Sequence, residues 1–181
     1  MCIFAIGMFH SGYFYRFNQI MSMREINLTT KISVYPLEEC SEIEKKLIEA
    51  AKNVLSEAYA PYSEFKVGAA LLLKNGTIVT GSNQENAAFP SGLCAERTAM
   101  FYANANFPDQ PIEMMAVAAF HKGHFTKDVI TPCGACRQSL LETENRFSTP
   151  LRILMYSQDQ VFVIDSVKEL LPLSFGDTML K

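Results

Sequence analysis

The sequence predicts an α/β domain in which helices flank a mixed sheet of about five strands. Three observations carry this. Hydrophobic residues make up 49% of the 181 and charged residues 19%, the balance of a chain with a real core. Segments with helical apolar spacing are separated by short apolar runs of strand length. Asn75-Gly76 lies between two such runs, a strong signal for a two-residue hairpin turn.

Taken in order, Ser41-x-x-Glu44 is a capping-box pattern. Ile43, Leu47, Val54 and Leu55 then recur at helical spacing, which predicts a helix over 41–59. Ala60-Pro61-Tyr62-Ser63 breaks it. Phe65–Leu73 and Thr77–Thr80 form the two arms of the hairpin. A second helix starts near Cys94, carried by Ala95 to Met100. Ile112–Phe120 is a buried-strand candidate, and the polar stretch 121–131 reads as a loop. A third helix fits 134–145, after Pro132-Cys133. Leu151–Tyr156 and Val161–Ile164 complete the five strands, before a short helix over 166–171 that Pro172 ends. No repeat or Gly/Ser-rich linker interrupts this pattern, so 30–181 reads as a single domain behind an N-terminal extension over 1–29. Residues 1–22 of that extension read either as a misassigned start or as a short surface arm.

Composition also weighs on which partners to expect. Lys and Arg total 16 against 19 Asp and Glu, for a formal charge of −3. Basic residues never cluster beyond Lys45-Lys46, which argues against a nucleic-acid partner. The longest apolar stretch, Cys2–Met8, is far short of the roughly 20 residues a membrane helix needs, so no membrane association is expected. It also lacks a basic lead-in and reads poorly as a signal peptide. Five cysteines, an odd and sparse set, read as reduced thiols of a cytoplasmic protein rather than as a disulfide framework.

Three of those cysteines share a setting. Cys133 and Cys136 flank Gly134-Ala135 just after Pro132, where a helix should begin, and Cys94 lies at another predicted helix start. Helix N-termini favour thiolate over thiol, through unpaired N–H groups and the macrodipole. Two such ends meeting would offer three soft anionic ligands suited to zinc, with a fourth position open as in catalytic sites. The alternatives are a redox pair, which has no use for Cys94, or a closed structural site. His121 or His124 could supply a fourth ligand, or both could simply be solvated. Glu96, two residues beyond Cys94, could take a proton from a water at the open position and return it to a leaving group. Its bland reading is a first-turn carboxylate facing the helix dipole.

Cys94-Ala95-Glu96-Arg97 together with Pro132-Cys133-Gly134-Ala135-Cys136-Arg137-Gln138 resembles the cytidine deaminase family, of the small all-cysteine type. Ala60-Pro61-Tyr62-Ser63, Phe65-Lys66-Val67-Gly68-Ala69-Ala70, Asn83-Gln84-Glu85-Asn86-Ala87 and Glu169-Leu170-Leu171-Pro172 extend the resemblance over most of 41–175. It implies a three-layer α/β/α sandwich, one Zn²⁺ per subunit held by Cys94, Cys133 and Cys136, and Glu96 as proton shuttle. The activity implied is hydrolytic deamination of cytidine and 2′-deoxycytidine to uridine and 2′-deoxyuridine, with release of ammonia, in pyrimidine salvage.

The resemblance also assigns supporting roles. Three thiolates more than cancel the charge of zinc and blunt it as a Lewis acid, and Arg97 would draw some of that charge away. Asn83 and Glu85, two apart on an extended strand end, would grip a sugar hydroxyl. Gln84 stands where relatives usually carry an aliphatic residue, and its amide would need partners if buried. Phe65 would pack on the nucleoside, and the Ala95 amide would bind the ring carbonyl. Relatives of this size are usually homotetramers, in which Phe89 and Phe175 match aromatics lent across subunits. Relatives often carry Tyr at the Phe89 position.

Overall fold

The hairpin turn at Asn75-Gly76 joins β2 (Lys66–Leu73) to β3 (Ile78–Ser82), one edge of a mixed sheet in this computed structural model. Gly76 takes φ +84°, the left-handed geometry such a turn requires. The structure describes residues 23–176 and 179–180, so the stretch 1–22 lies outside it. In chain order the remaining elements are β1 (Ser33–Tyr35), α1 (Glu42–Asn53), α2 (Ala95–Asn106), β4 (Ile112–His121), β5 (His124–Phe125), α3 (Gly134–Phe147), β6 (Arg152–Tyr156) and β7 (Val161–Ile164).

The sheet order is β1-β7-β6-β4-β2-β3, with β5 paired to the end of β4. β4 and β6 run parallel, and every other pairing is antiparallel. All five expected strands are present, but the sheet has seven, not five. β1 is a three-residue edge strand on β7, too short to show a period. β5 comes from the stretch read as a loop: Lys122 (φ 50°) and Gly123 (φ 87°) form a tight turn that folds His124-Phe125 back onto β4.

Alternate residues of each strand face opposite layers. On one side α1 buries Leu47, Ile48 and Ala51 against Ala70, Leu72, Ala116, Ala118 and Leu154. On the other, α2 and α3 bury Ala99, Met100, Leu140 and Leu141 against Ala69, Leu71, Met115, Val117 and Ile153. The result is the expected three-layer sandwich. Truncating a fully buried Leu such as Leu140 to Ala costs about 2–5 kcal/mol.

Helix α1 is shorter than the periodicity predicts. Its capping box at Ser41 and Glu44 is formed, but the α-helix ends at Asn53 and continues as a 3₁₀ turn over 54–57. Val54 and Leu55 stay buried in that turn, so the apolar spacing persists after the α geometry has gone. Tyr59 is then extended and bridges Gln84. The last predicted helix is likewise a 3₁₀ turn, Val167–Leu170.

One glycine brings a helix close enough to matter for the site. A Cβ on Gly81 would lie 2.5 Å from the Ala99 amide nitrogen and 2.8 Å from the Ala95 carbonyl oxygen. Its absence lets the first turns of α2 lie directly on β3. Among the described residues no helix is long and apolar enough to cross a membrane.

Candidate active site

Cys94 is the N-cap of α2 and Cys133 the N-cap of α3. Pro132 precedes the second cap and cannot donate a backbone N–H, and the Cys133 sulfur accepts instead from the Cys136 amide at 3.4 Å. Arg137 braces the same corner. Its Nε donates to the Pro132 carbonyl (2.8 Å), and its other nitrogens reach the Leu170 carbonyl (3.2 Å) and the Thr131 hydroxyl (3.1 Å).

The two helix ends meet. The sulfurs of Cys94, Cys133 and Cys136 all lie within 4.8 Å of one another, with 3.7 Å between Cys94 and Cys133 and 3.3 Å between Cys133 and Cys136. Zinc–sulfur bonds of about 2.3 Å at tetrahedral angles put sulfurs about 3.8 Å apart, so this donor set fits a zinc ion. Among the described residues no histidine or carboxylate joins the group. His121 instead contacts the Glu64 carbonyl and His124 the Phe125 carbonyl, so neither is a fourth ligand.

Charge at this corner is shared. Interaction with the Cys136 thiol, helped by the Arg97 guanidinium, pulls Cys94 down to about 5 against the opposing effect of burial. Cys136 is pushed up by the reciprocal interaction and by burial. Arg97 Nη2 lies 3.9 Å from the Cys94 sulfur, while its Nε is buried with no hydrogen-bond partner. The four cysteines described, Cys40 included, are all unpaired thiols.

A cavity of about 410 Å³ opens beside the cysteines, lined by Cys94, Cys133, Glu96 and Arg97. That volume suits a small organic ligand. Glu96 is 5% exposed, and burial pushes its carboxyl above the ordinary carboxylate range. Ala95, Asn83, Glu85 and Phe89 line the same cavity, whereas Phe65 and Phe175 are not part of its wall. The Phe65 carbonyl accepts from Asn83 Nδ2 (2.9 Å), and Asn83 Oδ1 accepts from the Val67 amide (2.8 Å). The Phe175 carbonyl accepts from Gln138 Nε2 at 2.8 Å.

Glu85 accepts from the Tyr62 amide (2.9 Å), the Ser63 amide (3.3 Å) and the Ser63 hydroxyl (2.5 Å). These bonds, the hydroxyl foremost, hold its carboxyl below the usual range. Gln84 Nε2 finds the partners its position demands, donating to the Ser82 hydroxyl (3.1 Å) and the Glu57 carbonyl (3.3 Å). Sequence reasoning missed Ile130 and Thr131, which complete the wall from the far end of the supposed loop. Their only signal was adjacency to Pro132-Cys133.

The family model for the cytidine and deoxycytidylate deaminase zinc-binding region matches residues 41–148, spanning α1, both helix caps and all three cysteines. The chain belongs to the cytidine deaminase family. A cytidine deaminase of Halalkalibacterium halodurans is 44% identical over 96 residues, 53% of this chain and 68% of that protein. The crystal structure of cytidine deaminase from Burkholderia pseudomallei shares 41% identity at a TM-score of 0.61, over 72% of this chain and 98% of that one. The enzyme from Mycobacterium tuberculosis follows at 32% identity and a TM-score of 0.58, over 74% and 97%. As a member of this family the protein is a zinc enzyme, and its three-cysteine corner has the donor chemistry for that ion.

Proposed function

We propose that this deaminase converts cytidine and 2′-deoxycytidine to uridine and 2′-deoxyuridine, releasing ammonia, as a cytoplasmic step of pyrimidine salvage. The observation that carries the proposal is the juxtaposition of a buried Glu96 and the three-sulfur corner in one nucleoside-sized cavity.

Cys94, Cys133 and Cys136 would hold the zinc, which when bound lowers the pKa of a water in the open position. Glu96 takes a proton from the attacking water and hands it to N3 of the pyrimidine as C4 becomes tetrahedral. A second transfer through the same carboxyl lets the C4 amino group leave as ammonia. A carboxyl raised by burial suits both directions of transfer. Ala95 opens α2, so its amide has no partner within the helix and is free to donate to the ring carbonyl. Asn83 and Glu85 hold the sugar hydroxyl, and Phe65, bonded to Asn83 through its carbonyl but outside the cavity wall of the single chain, is the aromatic this reading assigns to the nucleoside. Arg97 withdraws charge from the sulfurs.

The assembly belonging to this reading is a homotetramer. Phe89 is 77% exposed at the cavity mouth and Phe175 57% exposed, as side chains reaching a neighbouring subunit would be in one isolated chain.

The test is direct. Purified protein is incubated with cytidine, deoxycytidine, cytosine and an oligonucleotide while the ultraviolet change on deamination is followed and zinc per chain is assayed. Both nucleosides should react, the oligonucleotide should not, and one zinc per chain should be found. Inert nucleosides would reject the proposal.

A further inference from the structure

The segment from Ala60 to Phe65 lies outside the cavity wall but is hydrogen-bonded to Asn83 and Glu85, which line it, and it is held in an unfavourable shape. Glu64 has φ +56°, a left-handed conformation that residues with side chains rarely adopt. Such a conformation persists only where the surroundings over-determine it. From the cavity side three groups hold the segment: Glu85 on the Tyr62 and Ser63 amides, Asn83 on the Phe65 carbonyl, and Phe89, whose ring meets Tyr62 edge-on at 6.3 Å. His121, which does not line the cavity, holds it as well. Its Nδ1 lies 3.3 Å from the Glu64 carbonyl oxygen, and its ring packs on Phe65 with centroids 5.5 Å apart and planes at 39°.

The sheet explains why His121 reaches this point. β2 and β4 are antiparallel with Lys66 opposite Phe120, so Phe65 and His121 are one step beyond that pair. The tight turn at Lys122-Gly123 and the His121–His124 pairing fix the backbone that carries the imidazole. A histidine in a polar stretch thus ties a strained segment to a rigid hairpin. The carbonyl it contacts precedes Phe65, whose own carbonyl orients the Asn83 amide.

We infer that His121 is a positioning residue for nucleoside binding: it clamps the Tyr62–Phe65 segment and through it sets the orientation of Asn83 and Glu85. This rests on the reading of Asn83 and Glu85 as sugar-binding groups. Because His121 and the segment it holds do not line the cavity beside Glu96 and the cysteines, the clamp acts on affinity and leaves the chemical step and the metal alone.

The experiment compares the parent enzyme with His121→Ala, His121→Phe, which keeps a ring but no donor, and His121→Asn, which keeps a donor but no ring. His124→Ala, on the same hairpin, is the control. His121→Ala should raise KM for cytidine about tenfold with kcat and zinc content unchanged, and the Phe and Asn variants should each recover part of the loss. Without substrate, hydrogen exchange at the Tyr62 and Ser63 amides should accelerate in His121→Ala and stay at the parent rate in His124→Ala. Unchanged KM and unchanged exchange would overturn the inference, as would a fall in kcat at constant KM. If the parent deaminates no nucleoside, the proposed activity fails, and exchange at the two amides alone then decides whether the clamp exists. If His121→Ala does not fold, the Phe and Asn variants carry the same comparison.

Discussion

Two glutamates in this molecule are almost equally buried, yet their surroundings differ sharply. Glu144, 4% exposed near the end of α3, accepts hydrogen bonds from the Leu151 amide (3.1 Å), the Val167 amide (2.9 Å) and the Ser166 hydroxyl (2.7 Å), with the Lys168 ammonium 3.7 Å away. It ties the start of β6 and the turn after β7 to the helix. Glu96, 5% exposed in the first turn of α2, faces the cavity beside the thiols, and burial outweighs the help its carboxylate gets from its own backbone N–H. A buried carboxylate saturated with donors is committed to the fold. One left facing a cavity has its carboxyl pushed up by burial and stays open to whatever enters. Burial alone does not distinguish them; the partners do.

Substitutions can break this contrast, and the largest effect is expected at Glu96. Glu96→Gln should lower kcat by roughly 10²–10⁴-fold while zinc per chain and melting temperature stay at parent values. Turnover near the parent rate in that variant would remove the shuttle role. Glu144→Ala should do the reverse, leaving the Leu151 and Val167 amides without an acceptor. Urea denaturation should show a loss of about 2–4 kcal/mol, with kcat of the folded fraction unchanged. Arg97→Ala sits between the two classes. Competition with a chelator should show zinc affinity reduced about tenfold, since the guanidinium beside Cys94 no longer offsets the thiolate charge.

The smallest effect sharpens the structural side of the contrast. Glu44 is buried at the start of α1, and burial alone would raise its pKa. The Ser41 bonds and Arg152 outweigh burial and hold it below the usual 4.5. A depressed folded value means that its stabilisation is complete above pH 4.5 and is lost as pH falls through the lower, folded pKa. Denaturation midpoints taken from pH 6 down to pH 3 should therefore fall less steeply in Glu44→Gln than in the parent.

Much of the fold was legible because its signals are local. The capping box at Ser41 and Glu44, the Asn75-Gly76 turn and five apolar strand runs all depend on neighbours a few residues away, and all appear where expected. The elements that differ are those where apolar spacing or composition did not report the backbone geometry. Val54 and Leu55 leave the α-helix for a 3₁₀ turn yet stay buried, and β5 forms because Lys122-Gly123 can turn Phe125 back onto Phe120. Glu144 continues the apolar face of Leu140 and Leu141 at helical spacing, a mismatch that is the sequence's one sign of a structural carboxylate. His121 was legible only as a possible zinc ligand or a solvated side chain, since its actual partners Glu64 and Phe65 lie more than 50 residues away.

The chain by itself determined which residue types could do chemistry, because ligand class, spacing within Cys133–Cys136 and the nearness of Glu96 to Cys94 are written in the local sequence. Only the tertiary structure decided that two helix N-termini separated by 39 residues would meet at one corner. It also decided that Glu96 would face the cavity while Glu144 would not. Those outcomes depend on how the two helices lie on one face of the sheet, where a bare Gly81 lets α2 settle against β3.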